Sequence, residues 1–264
     1  MAPSNEAPDG AKCRRLEGKV ALVTAATAGI GLATAERLAQ EGASVFICSR
    51  KASNVDETVA ALRGRGLEVA GCACHVGSAE QRKKLVEACA QKYGGIDILV
   101  SNAAVNPGAG PLAETSPDVI DKILDINVKA AVLLVQEALP HLRKRPGACI
   151  VFVSSVTAFN PPEPIAMYAV SKTALLGLTK GLAAELGPEG IRVNCVAPGI
   201  VPTKFSAALV ETPELAAQQA SSTMLRRLGR PQEQAAAIAY LVSPDAAYVT
   251  GETLVVSGGM HSRL

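Results

Sequence analysis

The chain is predicted to fold as an α/β protein, a single doubly wound parallel sheet with helices on both faces. Short β-branched runs alternate with amphipathic helical patterns along almost the whole sequence. Strands separated by such helices imply βαβ crossovers, and so a parallel sheet covered on both sides. Hydrophobic residues make up 48% of the chain but aromatics only 3%, with no Trp, so the interior must be built from Ala, Val, Leu and Ile. The length of 264 residues suits one α/β domain.

In order, the pattern predicts a strand at Val20–Thr24, a helix at Gly31–Glu41, a strand at Ser44–Cys48 and a helix at Val55–Arg65. Val69–Cys74 is a strand, Glu80–Tyr93 a helix, Ile98–Ser101 a strand, Val119–Arg143 one long helix and Cys149–Ser154 a strand. A helix from about Tyr168 to Leu186, the strand Arg192–Val196, a polar segment to about Met224, a helix at Pro231–Leu241 and a strand near Thr253–Val256 complete it. Glu41-Gly42 and Leu186-Gly187-Pro188 read as helix stops. Residues 1–17 read as a disordered arm, 18–261 as one domain and 262–264 as a separate C-terminal signal.

Bulk properties narrow the function. A net charge of +2, from 26 basic and 24 acidic residues, is too balanced for a nucleic-acid or anionic-membrane surface, so a small ligand is expected. Seven cysteines, an odd number scattered from Cys13 to Cys195, read as free thiols. Cys72 and Cys74 have no matching pair of further ligands, so no metal site is expected. The N-terminus carries Glu6, Asp9, Lys12, Arg14 and Arg15 without an apolar stretch, unlike a secretory signal. No apolar run reaches the roughly 18 residues of a membrane span.

The first strand runs into Thr24-Ala25-Ala26-Thr27-Ala28-Gly29-Ile30-Gly31 and then a helix. Such a turn of small residues lets backbone amides at a helix N-terminus reach a pyrophosphate, the Rossmann-type arrangement for a dinucleotide. The second strand ends at Ser49-Arg50-Lys51, with no acid before Asp56. An acid there would hold a ribose 2′-hydroxyl, whereas a cation and a hydroxyl suit a 2′-phosphate, so the expected cofactor is NADP(H). Tyr168 and Lys172 stand four apart, on one helix face, so the ammonium is expected to lower the phenol pKa for proton transfer. Ser155, at the preceding strand end, can hydrogen-bond the same substrate oxygen.

These blocks, with Asn102-Ala103-Ala104, Asn127, Tyr168-Ala-Val-Ser-Lys172 and Pro198-Gly199 followed by Val201 and Thr203, resemble the short-chain dehydrogenase/reductase family from Lys19 onward. The resemblance implies Asn127, Ser155, Tyr168 and Lys172 as the catalytic set, with Asn127 holding a water of a proton relay and Lys172 binding the nicotinamide ribose. It implies cofactor contacts at Ala25, Thr27, Gly29, Ile30, Gly31, Ser49, Arg50, Lys51, Val76, Asn102, Ala103, Tyr168, Lys172, Pro198, Gly199, Val201 and Thr203. Two departures stand out. Ala25 replaces the usual first glycine, which requires φ below zero, and His75 stands where an Asp commonly meets the adenine amino group.

Ser262-Arg263-Leu264 is similar to the S-K-L address, implying peroxisomal localisation and an import receptor as partner. With Cys74-His75-Val76 and Lys172–Lys180, it resembles the peroxisomal branch of the family: the dehydrogenase/reductase member 4 group and its plant type a counterparts. That branch implies reduction of ketones and dicarbonyls. The alternatives are a β-oxidation-like hydroxyacyl dehydrogenase, as on indole-butyrate, and a catalytically silent cofactor-binding regulator. Apolar residues on several faces of the Val119–Arg143 and Tyr168–Leu186 helices imply burial between subunits, as in a homotetramer.

Overall fold

The computed structural model of the chain describes residues 14–260. Seven strands, β1 (Val20–Val23), β2 (Ser44–Ser49), β3 (Val69–Ala73), β4 (Ile98–Ser101), β5 (Cys149–Val153), β6 (Arg192–Pro198) and β7 (Thr253–Val256), form one sheet. The spatial order is β3-β2-β1-β4-β5-β6-β7 and every pair is parallel. The expected doubly wound sheet is therefore present, and the order reverses between β1 and β4, where such folds open a ligand crevice.

Alternation along the strands divides the core in two. On β1, Val20 and Leu22 join one cluster and Ala21 and Val23 the other; on β5, Ile150 and Phe152 oppose Cys149, Val151 and Val153. Successive side chains leave opposite faces of a strand, and both faces here are covered, so the strands read as unbroken apolar runs. One face carries α3 (Ala79–Tyr93), α5 (Ala130–Leu142) and α6 (Ala166–Leu186). The other carries α1 (Gly29–Gln40), α2 (Ala52–Arg63) and α8 (Pro231–Val242).

Two predicted elements differ. The single helix at Val119–Arg143 is instead α4 (Pro117–Leu124), a π-helical turn at Asp125–Lys129, and α5. The polar segment ending near Met224 contains a further helix, α7 (Pro213–Ser221), capped by the Thr212 side chain on the Leu215 N–H. The Gly187-Pro188 stop acts a turn late. Gly187 keeps a right-handed φ of −57°, a 3₁₀ turn runs Gly187–Glu189, and the left-handed residue is Gly190 at φ 76°.

The arm is ordered where it is described. Leu16 is fully buried, its N–H bonds the Glu41 carbonyl at 2.9 Å, and Arg15 bridges Glu41 and Asp245 at 2.8 and 2.7 Å. An apolar side chain and a two-armed ion pair thus tie residues 14–17 to α1 and to the turn after α8. Residues 1–13, which include Cys13, lie outside the described residues, as does the tripeptide Ser262-Arg263-Leu264. The six described cysteines are free thiols. Among the described residues no helix is long and apolar enough to cross a membrane.

Candidate active site

The crevice is built first from two strand ends. Thr24, at the end of β1, is fully buried, and its Oγ1 accepts the N–H groups of Asn102 and Ala103 at 3.0 and 3.1 Å. The Asn102 carboxamide returns Nδ2 to the Thr24 and Ala25 carbonyls at 3.0 and 3.2 Å. The turns after β1 and β4 are therefore cross-braced. Gly31 passes so close that a Cβ would lie 2.4 Å from the Ala25 carbonyl oxygen, so no larger residue fits. Ala25 itself has φ 51°, contrary to the expected negative value. The Asn102 brace and the pass of Gly31 fix the turn in that form, and Ala adopts it at a cost of about 1 kcal/mol.

Ala28, the N-cap of α1, makes no side-chain cap hydrogen bond, and Gly29 faces Thr203, whose Cγ2 would sit 3.1 Å from an added Cβ. A helix N-terminus backed by small residues is a place for an anion. At the end of β2, Ser49 is half-buried while Arg50 and Lys51 are exposed, and no described carboxylate pairs with Arg50. Val76 follows β3, buried, with its carbonyl held by buried Arg82 at 2.7 Å. Sequence reasoning missed Arg82, which pairs with Glu137 at 3.3 Å.

The second half of the site gathers on β5 and α6. Ser155 follows β5 in extended conformation, and its Oγ accepts from the N–H and Oγ1 of Thr157 at 3.2 and 2.9 Å. Tyr168 and Lys172, one turn apart on α6, are 8% and 2% exposed. Lys172 Nζ lies 5.6 Å from the Tyr168 ring centroid and donates to the Val153 carbonyl at 2.7 Å. Ser154 Oγ closes the same brace by donating to the Lys172 carbonyl at 2.8 Å. The Phe205 ring, 54% exposed, tilts at 46° against Tyr168 with centroids 5.6 Å apart.

Burial raises the Tyr168 phenol above its ordinary value, and a hydrogen bond with Ser155 opposes this. Burial also pushes the Lys172 ammonium down to about 8. The upward direction of the phenol is opposite to the lowering expected from Lys172, whose Nζ is turned to the Val153 carbonyl. Loss of water around an enclosed ring disfavours the charged phenolate and so sets the upward direction.

Asn127 sits in the π turn, 1% exposed. Its Oδ1 accepts the Val105 N–H at 2.8 Å, and Nδ2 donates to the Val105 carbonyl at 2.9 Å and Ser171 Oγ at 3.0 Å. Val201 is buried after β6, beside Pro198 and Gly199, and Thr203 follows with its N–H on Ser206 Oγ at 3.1 Å. A separate cleft of about 340 Å³, lined by Glu87, His141, Lys144 and Arg145, opens where the chain enters β4 and β5, the opposite end of the sheet from these residues.

A family model described as enoyl-(acyl carrier protein) reductase matches residues 24–261. The short-chain dehydrogenase/reductase SDRA of Arabidopsis thaliana is 52% identical over 251 residues, covering 95% of this chain and 98% of its own. Dehydrogenase/reductase SDR family member 4 of Oryctolagus cuniculus is 55% identical over 249 residues, covering 94% and 96%. Among solved structures, a short-chain dehydrogenase from Burkholderia cenocepacia J2315 in complex with NADP superposes with a TM-score of 0.86 at 37% identity, over 93% of this chain and 98% of that one. With a parallel seven-stranded sheet, a cross-braced small-residue turn and a Ser, Tyr and Lys gathered at one crevice, the chain belongs to the short-chain dehydrogenase/reductase family.

Proposed function

We propose that this chain is an NADP(H)-dependent oxidoreductase that reduces ketones and dicarbonyl compounds to alcohols, with Tyr168 as the general acid. The observation that carries the reading is the gathering of Ser155, Tyr168 and Lys172 at the end of the crevice, with Lys172 Nζ 5.6 Å from the Tyr168 ring centroid and braced to the end of β5 through the Val153 carbonyl. Two hydroxyls there, Ser155 and Tyr168, offer one carbonyl oxygen two donors.

The crevice fits the dinucleotide: α1 has an uncapped N-terminus, Gly31 leaves no space for a side chain, and Arg50 has no described carboxylate partner. The backbone around Ala25, Thr27, Gly29, Ile30 and Gly31 would hold the pyrophosphate, and Ser49, Arg50 and Lys51 the 2′-phosphate. Val76, Asn102 and Ala103 would line its path, and Pro198, Gly199, Val201 and Thr203 the carboxamide end. When bound, NADPH supplies hydride to the carbonyl carbon.

Every other task falls to the chain. Ser155 donates to the carbonyl oxygen and orients it. Tyr168 gives its proton to that oxygen as negative charge develops there, leaving a phenolate beside Lys172. The Lys172 ammonium, 5.6 Å from the ring centroid, stabilises that phenolate by its charge until a proton from solvent restores the phenol. Burial keeps the phenol protonated, the form in which it donates to a carbonyl oxygen. Peroxisomal import through Ser262-Arg263-Leu264 is part of the proposal, checked by localisation with and without that tripeptide. So is a homotetramer of 27.1 kDa subunits, supported by the outer face of α6, where Val170 is 44% exposed and Gly177 and Gly181 face open space. Light scattering checks the mass.

The central test is Tyr168→Phe, which keeps the ring and removes the proton. Cofactor affinity should survive while turnover falls by roughly 10² to 10⁴. Retention of more than about a tenth of turnover would overturn the assignment.

A further inference from the structure

Beyond β3 the chain runs Cys74-His75-Val76-Gly77. The Cys74 N–H donates to the Ser49 carbonyl at 2.8 Å, which places His75 one residue from the strand end that carries Ser49 and Arg50. On the cofactor reading above, on which this inference rests, that strand end takes the phosphorylated ribose, and the base attached to it lies within reach of the loop after β3, which the Cys74–Ser49 hydrogen bond holds beside that strand end.

The half-buried imidazole is anchored at its inner nitrogen. The His75 N–H donates to Gln81 Oε1 at 2.8 Å, and His75 Nδ1 accepts the Gly77 N–H at 3.1 Å. The ring lies over Gly77 so closely that a Cβ there would come within 2.9 Å of Cε1 and 3.0 Å of Nδ1. A ring nitrogen that accepts a hydrogen bond carries no proton, so the proton of the neutral ring is on Nε2. Nε2 is then a donor only, and no described residue accepts from it.

We propose that His75 reads the edge of the cofactor's base as a hydrogen-bond donor, so that the protein binds a 6-oxopurine dinucleotide as readily as the adenine one. A carboxylate in this place accepts from the 6-amino group of adenine and repels a 6-oxo group. A donor reverses this: the O6 of hypoxanthine accepts directly, and in adenine the neighbouring N1 accepts instead. The acceptor of the His75 ring, Nδ1, is taken by the Gly77 N–H, so this side chain offers the amino group no acceptor and loses no partner when the amino group is absent.

The experiment is calorimetric titration of the full chain with NADP⁺ and with nicotinamide hypoxanthine dinucleotide phosphate. The two dissociation constants should agree within about fivefold for the wild type. His75→Asp, whose carboxylate can also accept the Gly77 N–H, should move the ratio toward adenine by about tenfold or more. A larger wild-type preference for NADP⁺, or a ratio unchanged in His75→Asp, overturns the role of His75 while leaving the cofactor reading intact. Failure of both dinucleotides to bind overturns the cofactor reading and this inference together.

Discussion

Replacing Lys172 with Met tests whether the folded chain holds this ammonium against its own solvation. The side chain is 2% exposed, and burial takes it from an ordinary 10.5 down to about 8. At about 1.4 kcal/mol per pKa unit, that gap is worth at most about 3 kcal/mol. Between pH 8 and 10.5 the unfolded chain still carries a proton that the folded chain has released. The unfolded state then binds more protons, so wild-type stability rises with pH through this window, and a Met variant lacks that rise. The stability difference between the two should therefore shift toward the wild type by about 3 kcal/mol from about pH 7 to about pH 10.5. Terms without pH dependence cancel, including the lost bond to the Val153 carbonyl. Cys195, which interacts with Lys172, is raised to about 11 by burial, so it stays largely protonated across the window. Urea unfolding of both chains at a fixed protein concentration measures the difference. A difference constant within about 0.5 kcal/mol across that range would refute the buried-cation account.

Arg50→Asp removes a charge-assisted partner for the 2′-phosphate and adds repulsion, so the ratio of NADPH to NADH efficiency should fall by at least about tenfold. Steady-state kinetics with both cofactors checks it, and an unchanged ratio sinks the assignment. Ala25→Gly relieves a side chain at φ 51°, so stability should rise by up to about 0.5 kcal/mol once the added freedom of the unfolded chain is subtracted from about 1 kcal/mol of strain. Thermal unfolding decides this, and a destabilised variant would mean that the turn is not strained.

The inner strands were legible because they are buried on both faces, as at Ile98–Ser101; the edge strand Thr253–Val256, with Leu254 38% exposed, falls where its β-branched run places it, and the others differ by a residue or two. α7 was not legible because none of its residues is buried, so it carries no apolar stripe for a periodicity argument to find. The site divides similarly. Ser155, Tyr168 and Lys172 stand out by residue type and spacing, but the direction of the Tyr168 shift depends on enclosure, a three-dimensional property. Arg82 and Phe205 act on the site through contacts with Val76 and Tyr168 that no local pattern encodes.

Asn127 shows most clearly what one-dimensional spacing hides. The pattern on either side of it is helical, yet the π turn at Asp125–Lys129 inserts a residue and turns the carboxamide inward, toward the backbone of Val105. There both its N–H donors are used: Oδ1 accepts from Val105, and Nδ2 donates to Val105 and to Ser171 Oγ. Ser171 cannot reverse its role, because its own proton goes to the Tyr168 carbonyl at 2.6 Å. Asn127→Asp therefore keeps size and packing while aiming an oxygen at two acceptors in a site 1% exposed. The cost should be about 3 kcal/mol near neutral pH, that of a buried charge set against lone pairs. Cofactor affinity should fall with it, since Val105 continues the loop of Asn102 and Ala103. Acid should narrow the deficit: burial raises the folded-state carboxyl pKa above its unfolded value, and a protonated Asp regains one donor. Denaturant unfolding at about pH 5 and about pH 8 tests both the size and the sign. A variant within about 0.5 kcal/mol of the wild type at both would mean that these three hydrogen bonds do not hold the loop.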